Sequence, residues 1–180
     1  MSSILKVDTI QTTAGAAPTT KDLGFAAGSV IQVVSARLAN NAAVNSTNEV
    51  DVMTLSITPK FASSKILLIA SWALYLNGGA STERGDVLFK RGSTFVAGTS
   101  SSGAGVGYFR DGSGRVKAFT TSANALDSPA TTSSTTYTMK YDGYTNNSGG
   151  EFTNEGTTMT LMEIAPVSYT HLTLPTILLV

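Results

Sequence analysis

The stretch Lys65-Ile-Leu-Leu-Ile-Ala-Ser-Trp-Ala-Leu-Tyr-Leu76 decides the fold class of this chain. Side chains alternate across a strand, so Ile66, Leu68, Ala70, Trp72 and Leu74 would share one face, and Leu67, Ile69, Ala73 and Tyr75 the other. Both faces are apolar. Leu and Ala also favour helices, which makes a helix the rival reading. Pro59 and Gly78-Gly79 bracket the stretch and its neighbours all read as strands. We therefore expect a strand buried on both sides, against an opposite sheet and against another subunit. The apolar run from Ile66 to Leu76, broken by Ser71, is too short to cross a bilayer as a helix, and membrane insertion is not expected.

Working outward, Met53, Leu55 and Ile57 alternate up to Pro59, which ends their strand because it has no N–H for a ladder. Tyr137, Met139 and Tyr141 alternate in the same way, with Thr136, Thr138 and Lys140 facing the other side. The pattern predicts strands over 29–38, 49–57, 65–76, 85–97, 105–110, 114–121, 135–144 and 157–164, at spacings that suit an antiparallel β-sandwich. Loops of small polar residues are expected over 40–48, 98–103, 123–134 and 146–155. Ser3 to Gln11 suits a short strand, too small to fold without a partner chain, and Thr12 to Gly28 suits a linker. The expected organisation is an N-terminal attachment segment and linker over 1–27, a sandwich head over 28–165, and a separate tail over 166–180.

Composition narrows the function. Twelve basic and 12 acidic side chains balance, so no general attraction to nucleic acid or anionic membrane is expected. Cysteine is absent, which excludes disulfides and thiolate metal sites. The opening Met1-Ser-Ser-Ile-Leu-Lys-Val-Asp has neither the basic nor the apolar region of a secretory signal, so the chain reads as soluble, and if it works outside a cell, release by lysis is expected.

The tail has its own reading. Val167 to Thr176, Val-Ser-Tyr-Thr-His-Leu-Thr-Leu-Pro-Thr, resembles at all ten positions one reading frame of the transposon-end adapter of tagmentation sequencing libraries. In that frame a variable index follows, matching Ile177-Leu178-Leu179, and then Val and a stop, matching Val180. Residues 166–180 are therefore expected to be non-native, the genuine product ending near Ala165 or cut there by the sequencing read. His171, the single histidine, lies in this frame. Without it, His-dependent triads, Cys nucleophiles and the usual zinc ligand sets all disappear, and neither an enzyme, a cofactor nor a metal is expected.

Other motifs have plain explanations. Gly103-Ala-Gly105-Val-Gly107 is followed by Tyr108-Phe109-Arg110 rather than a helix, so it reads as a glycine-rich loop leading into a strand. Asp111-Gly112-Ser113-Gly114 suits a hairpin turn. Arg84-Gly85-Asp86 matches the adhesive tripeptide read by integrins, but a turn before a strand at Val87 to Phe89 accounts for it. Glu49 with Asp51 and Glu151 with Glu155 are the nearest carboxylate pairs, and solvated strand ends explain both. Asp127-Ser128-Pro129 reads as a turn rather than a calcium loop. The sequons Asn45-Ser46-Thr47 and Asn146-Asn147-Ser148 matter only for a eukaryotic secreted chain. Tyr108, Phe109, Tyr141 and Tyr144 are the candidate receptor-binding residues, as aromatic faces on which a sugar could stack, although aromatics at strand spacing are usually core.

The opening Met1-Ser-Ser-Ile-Leu-Lys-Val-Asp-Thr-Ile-Gln11 resembles that of tail-fibre-like proteins from marine phages of cyanobacteria and pelagic bacteria. Gly28-Ser-Val-Ile-Gln-Val-Val34, Ser63-Ser-Lys-Ile-Leu67, the segment from Leu126 to Tyr137, and Thr160-Leu-Met-Glu-Ile-Ala165 are similar to that group too. The resemblance spans most of residues 1–165. It implies a virion tail-fibre or tail-tip protein, homotrimeric, made in the host cytoplasm, whose jelly-roll head is somewhat like the C1q and tumour-necrosis-factor heads. Its partners would be other tail proteins and a host-surface glycan or protein. It carries over no catalytic or receptor-binding residue. The alternatives are a bacterial surface or secreted lectin-like adhesin and a polysaccharide depolymerase.

Overall fold

A computed structural model describes residues 25–44, 48–76, 83–99, 105–111, 117–143 and 150–166. The expected strand at Ser3 to Gln11 and the tail from Val167 lie outside the described residues, as does Tyr144. Every described element is a strand, and all pairings are antiparallel.

Two sheets form a β-sandwich. In the first, β1 (Val30–Arg37) pairs with β11 (Thr158–Ile164), β11 with β4 (Lys65–Leu76), and β4 with β8 (Lys117–Asp127). The short strands β2 (Ala42–Ala43) and β10 (Glu151–Phe152) extend this sheet beside the end of β4. In the second, β3 (Glu49–Ile57) pairs with β9 (Thr135–Gly143) and β9 with β5 (Glu83–Arg91). The far edge of β5 takes both β6 (Thr94–Ala97) and β7 (Gly107–Asp111).

The core lies between the sheets and follows the alternation. Ile66, Leu68, Ala70, Trp72 and Leu74 of β4 are all buried, as are Met53 and Ile57 of β3 and Tyr137, Met139 and Tyr141 of β9. Register puts Met53 opposite Met139 and Leu55 opposite Tyr137. Trp72 meets Phe89 edge-on with ring centroids 6.4 Å apart, and Tyr141 meets Phe152 at 5.9 Å, both geometries that aromatic quadrupoles favour. Each large apolar side chain buried this way contributes about 1.5–3 kcal/mol. The second face of β4 is only half covered within one chain, and Ile69 keeps 38 % of its surface.

Several expectations need correction. The single strand expected over 85–97 is two, because the chain reverses at Gly92-Ser93. Gly92 has φ of 58°, and Ala130 is the one described non-glycine residue with positive φ. A two-residue hairpin with glycine alone in that region is the pattern of a type II′ turn. Residues 123–127, expected in a loop, continue β8, because small Ala123 and Ala125 fit inward opposite Ala70 and Leu68. The expected loops 40–48 and 146–155 contain β2 and β10. The expected hairpin at Asp111 to Gly114 is not one, since β7 pairs with β5 and β8 with β4, in different sheets. Arg84-Gly85-Asp86 is not a turn but part of β5.

Candidate functional site

The ends of the sandwich differ. At one, Gly28 N–H donates to the Ala165 carbonyl at 3.1 Å and Ala165 N–H to that of Ser29 at 2.8 Å, so the start and finish of the head lie together. The β3–β4 and β8–β9 connections close this same end, where Ile66 pairs with both Glu163 and Asp127. At the opposite end, Glu151 pairs with Ala43 and Tyr75, Leu76 with Lys117, Gly85 with Gly143, and Glu83 with Asp111. These strand ends are joined by 45–47, 77–82, 112–116 and 144–149, segments rich in small polar residues and glycine that also hold Arg115, Val116 and Tyr144.

The closed end is pinned by two polar networks. Glu163 is fully buried. Its Oε1 accepts from the backbone N–H groups of Lys60 at 2.8 Å and Phe61 at 3.3 Å, and its Oε2 from the Gln32 amide at 2.6 Å. Three segments of chain meet at this carboxylate, β11, β1 and the β3–β4 connection, which fixes that connection to the first sheet. Asp127 links the two sheets: Arg91 Nε donates to its Oδ2 at 2.7 Å, and the Tyr137 hydroxyl donates to the same oxygen at 2.8 Å. Burial alone would raise the Asp127 carboxyl, but the hydrogen bonds from Arg91 and Tyr137 outweigh it and hold the group below the usual carboxylate range. Burial, followed by the bond to Asp127, pushes the Tyr137 phenol well above its ordinary range.

Charge concentrates on the outer face of the second sheet. Glu49 pairs with Lys90, and Asp51 with Lys140, whose Nζ is also 3.7 Å from Glu49 Oε2. Lys90 Nζ lies 4.2 Å from the Phe95 ring centroid, a cation–π distance. Asp86 and Asp142 are direct register partners here, and both are buried. The chain seals Asp86, for a Cβ on Gly105 would come within 2.5 Å of Asp86 Cβ, and Val106 N–H donates to the Val87 carbonyl at 2.8 Å. Burial, then the carboxylates of Glu49 and Asp86, raise the Asp142 carboxyl, while Lys90 pulls the other way. Carboxylates that attack or protonate a glycosidic bond must reach the sugar. Here Asp86 is covered, whereas Asp51, paired with Lys140, keeps 60 % of its side chain exposed, and Glu49 is paired with Lys90.

The four candidate aromatics separate. Tyr141 is a core residue, with its ring buried against Phe152, so it has no face for a receptor. Tyr108 and Phe109 lie on β7 opposite Asp86 and Gly85, and their side chains fall outside the described structure. Tyr144 belongs to the 144–149 segment that continues from β9 at the loop end. The Asp86–Asp142 pair and the Glu163 and Asp127 networks escaped the sequence reading. Their only sequence signal is an acid placed within or ending an otherwise apolar alternation, which says nothing about its partner.

No protein-family model matches this chain, and no curated protein is detectably similar to it.

Proposed function

We propose that this chain is a phage virion structural protein, a tail-fibre or tail-tip module whose head contributes to attachment to the host surface. One observation carries the reading: the chain enters and leaves the head at one end, while the strand ends bearing the polar connections gather at the other. A head carried on an N-terminal stem over 1–27 then points these connections outward. The strand orders β1-β11-β4-β8 and β3-β9-β5-β6 support the finer assignment to a jelly roll, since β3, β4, β5, β8, β9 and β11 cross repeatedly between sheets. In the virion the proposed form is a homotrimer joined to other tail proteins. Three weak sites for a cell-surface glycan or protein would then act together through multivalency.

Two measurements test this on residues 1–165. Light scattering is expected to give a trimer, and a clean monomer at micromolar concentration overturns the fibre assembly. Labelled protein is expected to adhere to host cells and to lose adhesion when 77–82 and 144–149 are replaced by Gly-Ser linkers. Equal adhesion of the replaced form overturns the receptor-binding role.

A further inference from the structure

On the first sheet, register places Val33 opposite Met162, Met162 opposite Leu67, and Leu67 opposite Leu126. Residues paired directly across strands share a face. This one points away from the core, because the alternating neighbours Val34, Leu161, Leu68 and Ala125 point into it. An apolar row thus crosses all four long strands. Val30 and Ile164 pair beside it, and Ile69 adjoins its other side. Val33 and Leu126 are each 54 % exposed and Val30 is 49 % exposed, a high share for side chains that form one contiguous band.

Level with Ile69 and just beyond it the same face turns polar. Ser35 and Thr160 hydroxyls bond at 2.9 Å and those of Ser71 and Thr158 at 2.8 Å, with Ser122 on β8 opposite Ser71. The face therefore changes crosswise, from apolar at the end where the chain enters to hydroxyl-lined at the level of Ser71, with Ala73 and Tyr75 of β4 beyond it toward the loops. Among the described residues of the four long strands, its charges are Lys65 and Arg37 at opposite ends. The paired charges of Glu49, Asp51, Lys90 and Lys140 are all on the other sheet.

An exposed apolar patch rimmed by polar residues marks an interaction surface. The course of the chain bears on what covers it. Gly28 and Ser29 are bonded to Ala165 at the corner of the band, so the chain enters the head at this end of the sheet. In the proposed trimer, parallel association of the segments that precede the head would bring the same end of each head together, and with it the band. We propose that a second copy of this chain docks on the band formed by Val30, Val33, Leu67, Ile69, Leu126 and Met162, leaving the hydroxyl-lined half in water. This rests on the trimeric reading above and adds where the copies meet.

The test uses the full chain carrying Val33→Glu together with Leu126→Glu, with light scattering for assembly and circular dichroism for folding. Both positions are more than half exposed, so a folded monomer is expected at concentrations where the unsubstituted chain is trimeric. Ser122→Glu, on the polar half, is expected to remain trimeric. A folded double variant that stays trimeric overturns the docking surface and leaves the fibre reading standing. A monomeric unsubstituted chain overturns the trimeric reading and the docking surface with it. If the double variant does not fold, Leu126→Cys in this cysteine-free chain supplies the readout. Maleimide labelling at least tenfold slower than that of Ser122→Cys is expected, and equal rates overturn the proposal.

Discussion

Tyr141 packs directly onto Gly85: a Cβ at Gly85 would lie 2.2 Å from both Cζ and the hydroxyl oxygen of Tyr141. Gly85 is the middle residue of Arg84-Gly85-Asp86, and this contact explains why the glycine is there. It gives a buried tyrosine room to cross β5, and Asp86 beside it has no exposed surface. The tripeptide is a packing feature of a strand.

Gly85→Ala is accordingly expected to destabilise the head by about 1–3 kcal/mol, the usual cost of forcing extra volume into a packed core. Thermal or urea unfolding measures it. In a double-mutant cycle the cost falls when Tyr141→Leu removes the ring, because the residues are coupled through one contact. A Gly85→Ala head as stable as the parent would show that the backbone shifts freely here.

The alternation of Met53, Leu55 and Ile57 and that of Tyr137, Met139 and Tyr141 made β3 and β9 legible, because a strand with one buried face writes its period into the sequence. β4 was legible for its length and brackets. The inner residues of β8 were not, since Ala123 and Ala125 face the core with side chains too small to register as a hydrophobic pattern. β10 is two residues long and is defined by its neighbours, Ala43 and Tyr75. The Asp86–Asp142 pairing is a matter of register between strands more than fifty residues apart, which local sequence does not encode.

Glu163→Gln tests the closed end. The carboxylate accepts two backbone N–H groups and the Gln32 amide in a site with no exposed surface. An amide replaces one acceptor oxygen with a donor and leaves one of those groups facing another donor. A loss of about 1–3 kcal/mol is expected, the cost of stranding a buried polar group. Hydrogen exchange adds a local readout: the Lys60 and Phe61 amides are expected to lose protection before the core strands do.

Tyr137→Phe removes the hydroxyl that donates to Asp127 at 2.8 Å and keeps the ring. A hydrogen bond to a charged group contributes about 1.5–3 kcal/mol, so the variant is expected to lose up to that much at neutral pH. The folded state holds the Asp127 carboxyl below its unfolded value. The stability it confers is therefore present above the ordinary carboxylate range and is lost as pH falls through the depressed value. The difference between Tyr137→Phe and the parent is expected to shrink over that acid window. A difference independent of pH would mean that the hydroxyl supports packing rather than the carboxylate.

Asp142→Asn is expected to act in the opposite direction. Burial and the carboxylates of Glu49 and Asp86 raise the Asp142 carboxyl in the folded state. Ionising it there costs more than in the unfolded chain, so its penalty is absent below the unfolded value and is complete once pH exceeds the raised one. The amide cannot ionise. The variant is expected to be more stable than the parent at neutral pH and equal to it in acid, as read from unfolding midpoints across pH. A variant less stable at neutral pH would show that the Asp142 carboxylate, with Lys90 near it, is held by attraction that exceeds its burial.

Shortening the chain separates the head from its last residues. Ala165 is 2 % exposed and exchanges backbone hydrogen bonds with Gly28 and Ser29, so the ladder of the first sheet runs to that residue. If Val167 to Val180 derive from an adapter, nothing selected them to pack, and residues 1–165 are expected to unfold at the same midpoint as the full chain. Cutting before Ile164 removes the Val30 pairing and both bonds to Ala165. At about 1 kcal/mol for each hydrogen bond lost, that cut is expected to cost roughly 2 kcal/mol or more. The reverse pattern, a full chain clearly more stable than residues 1–165, would make the tail part of the fold. Persistence of Val-Ser-Tyr-Thr-His-Leu-Thr-Leu-Pro-Thr in an independent recovery of the same gene would sink the adapter origin directly. The two results are separable, since a genuine tail need not contribute to stability, whereas an adapter-derived one has no reason to.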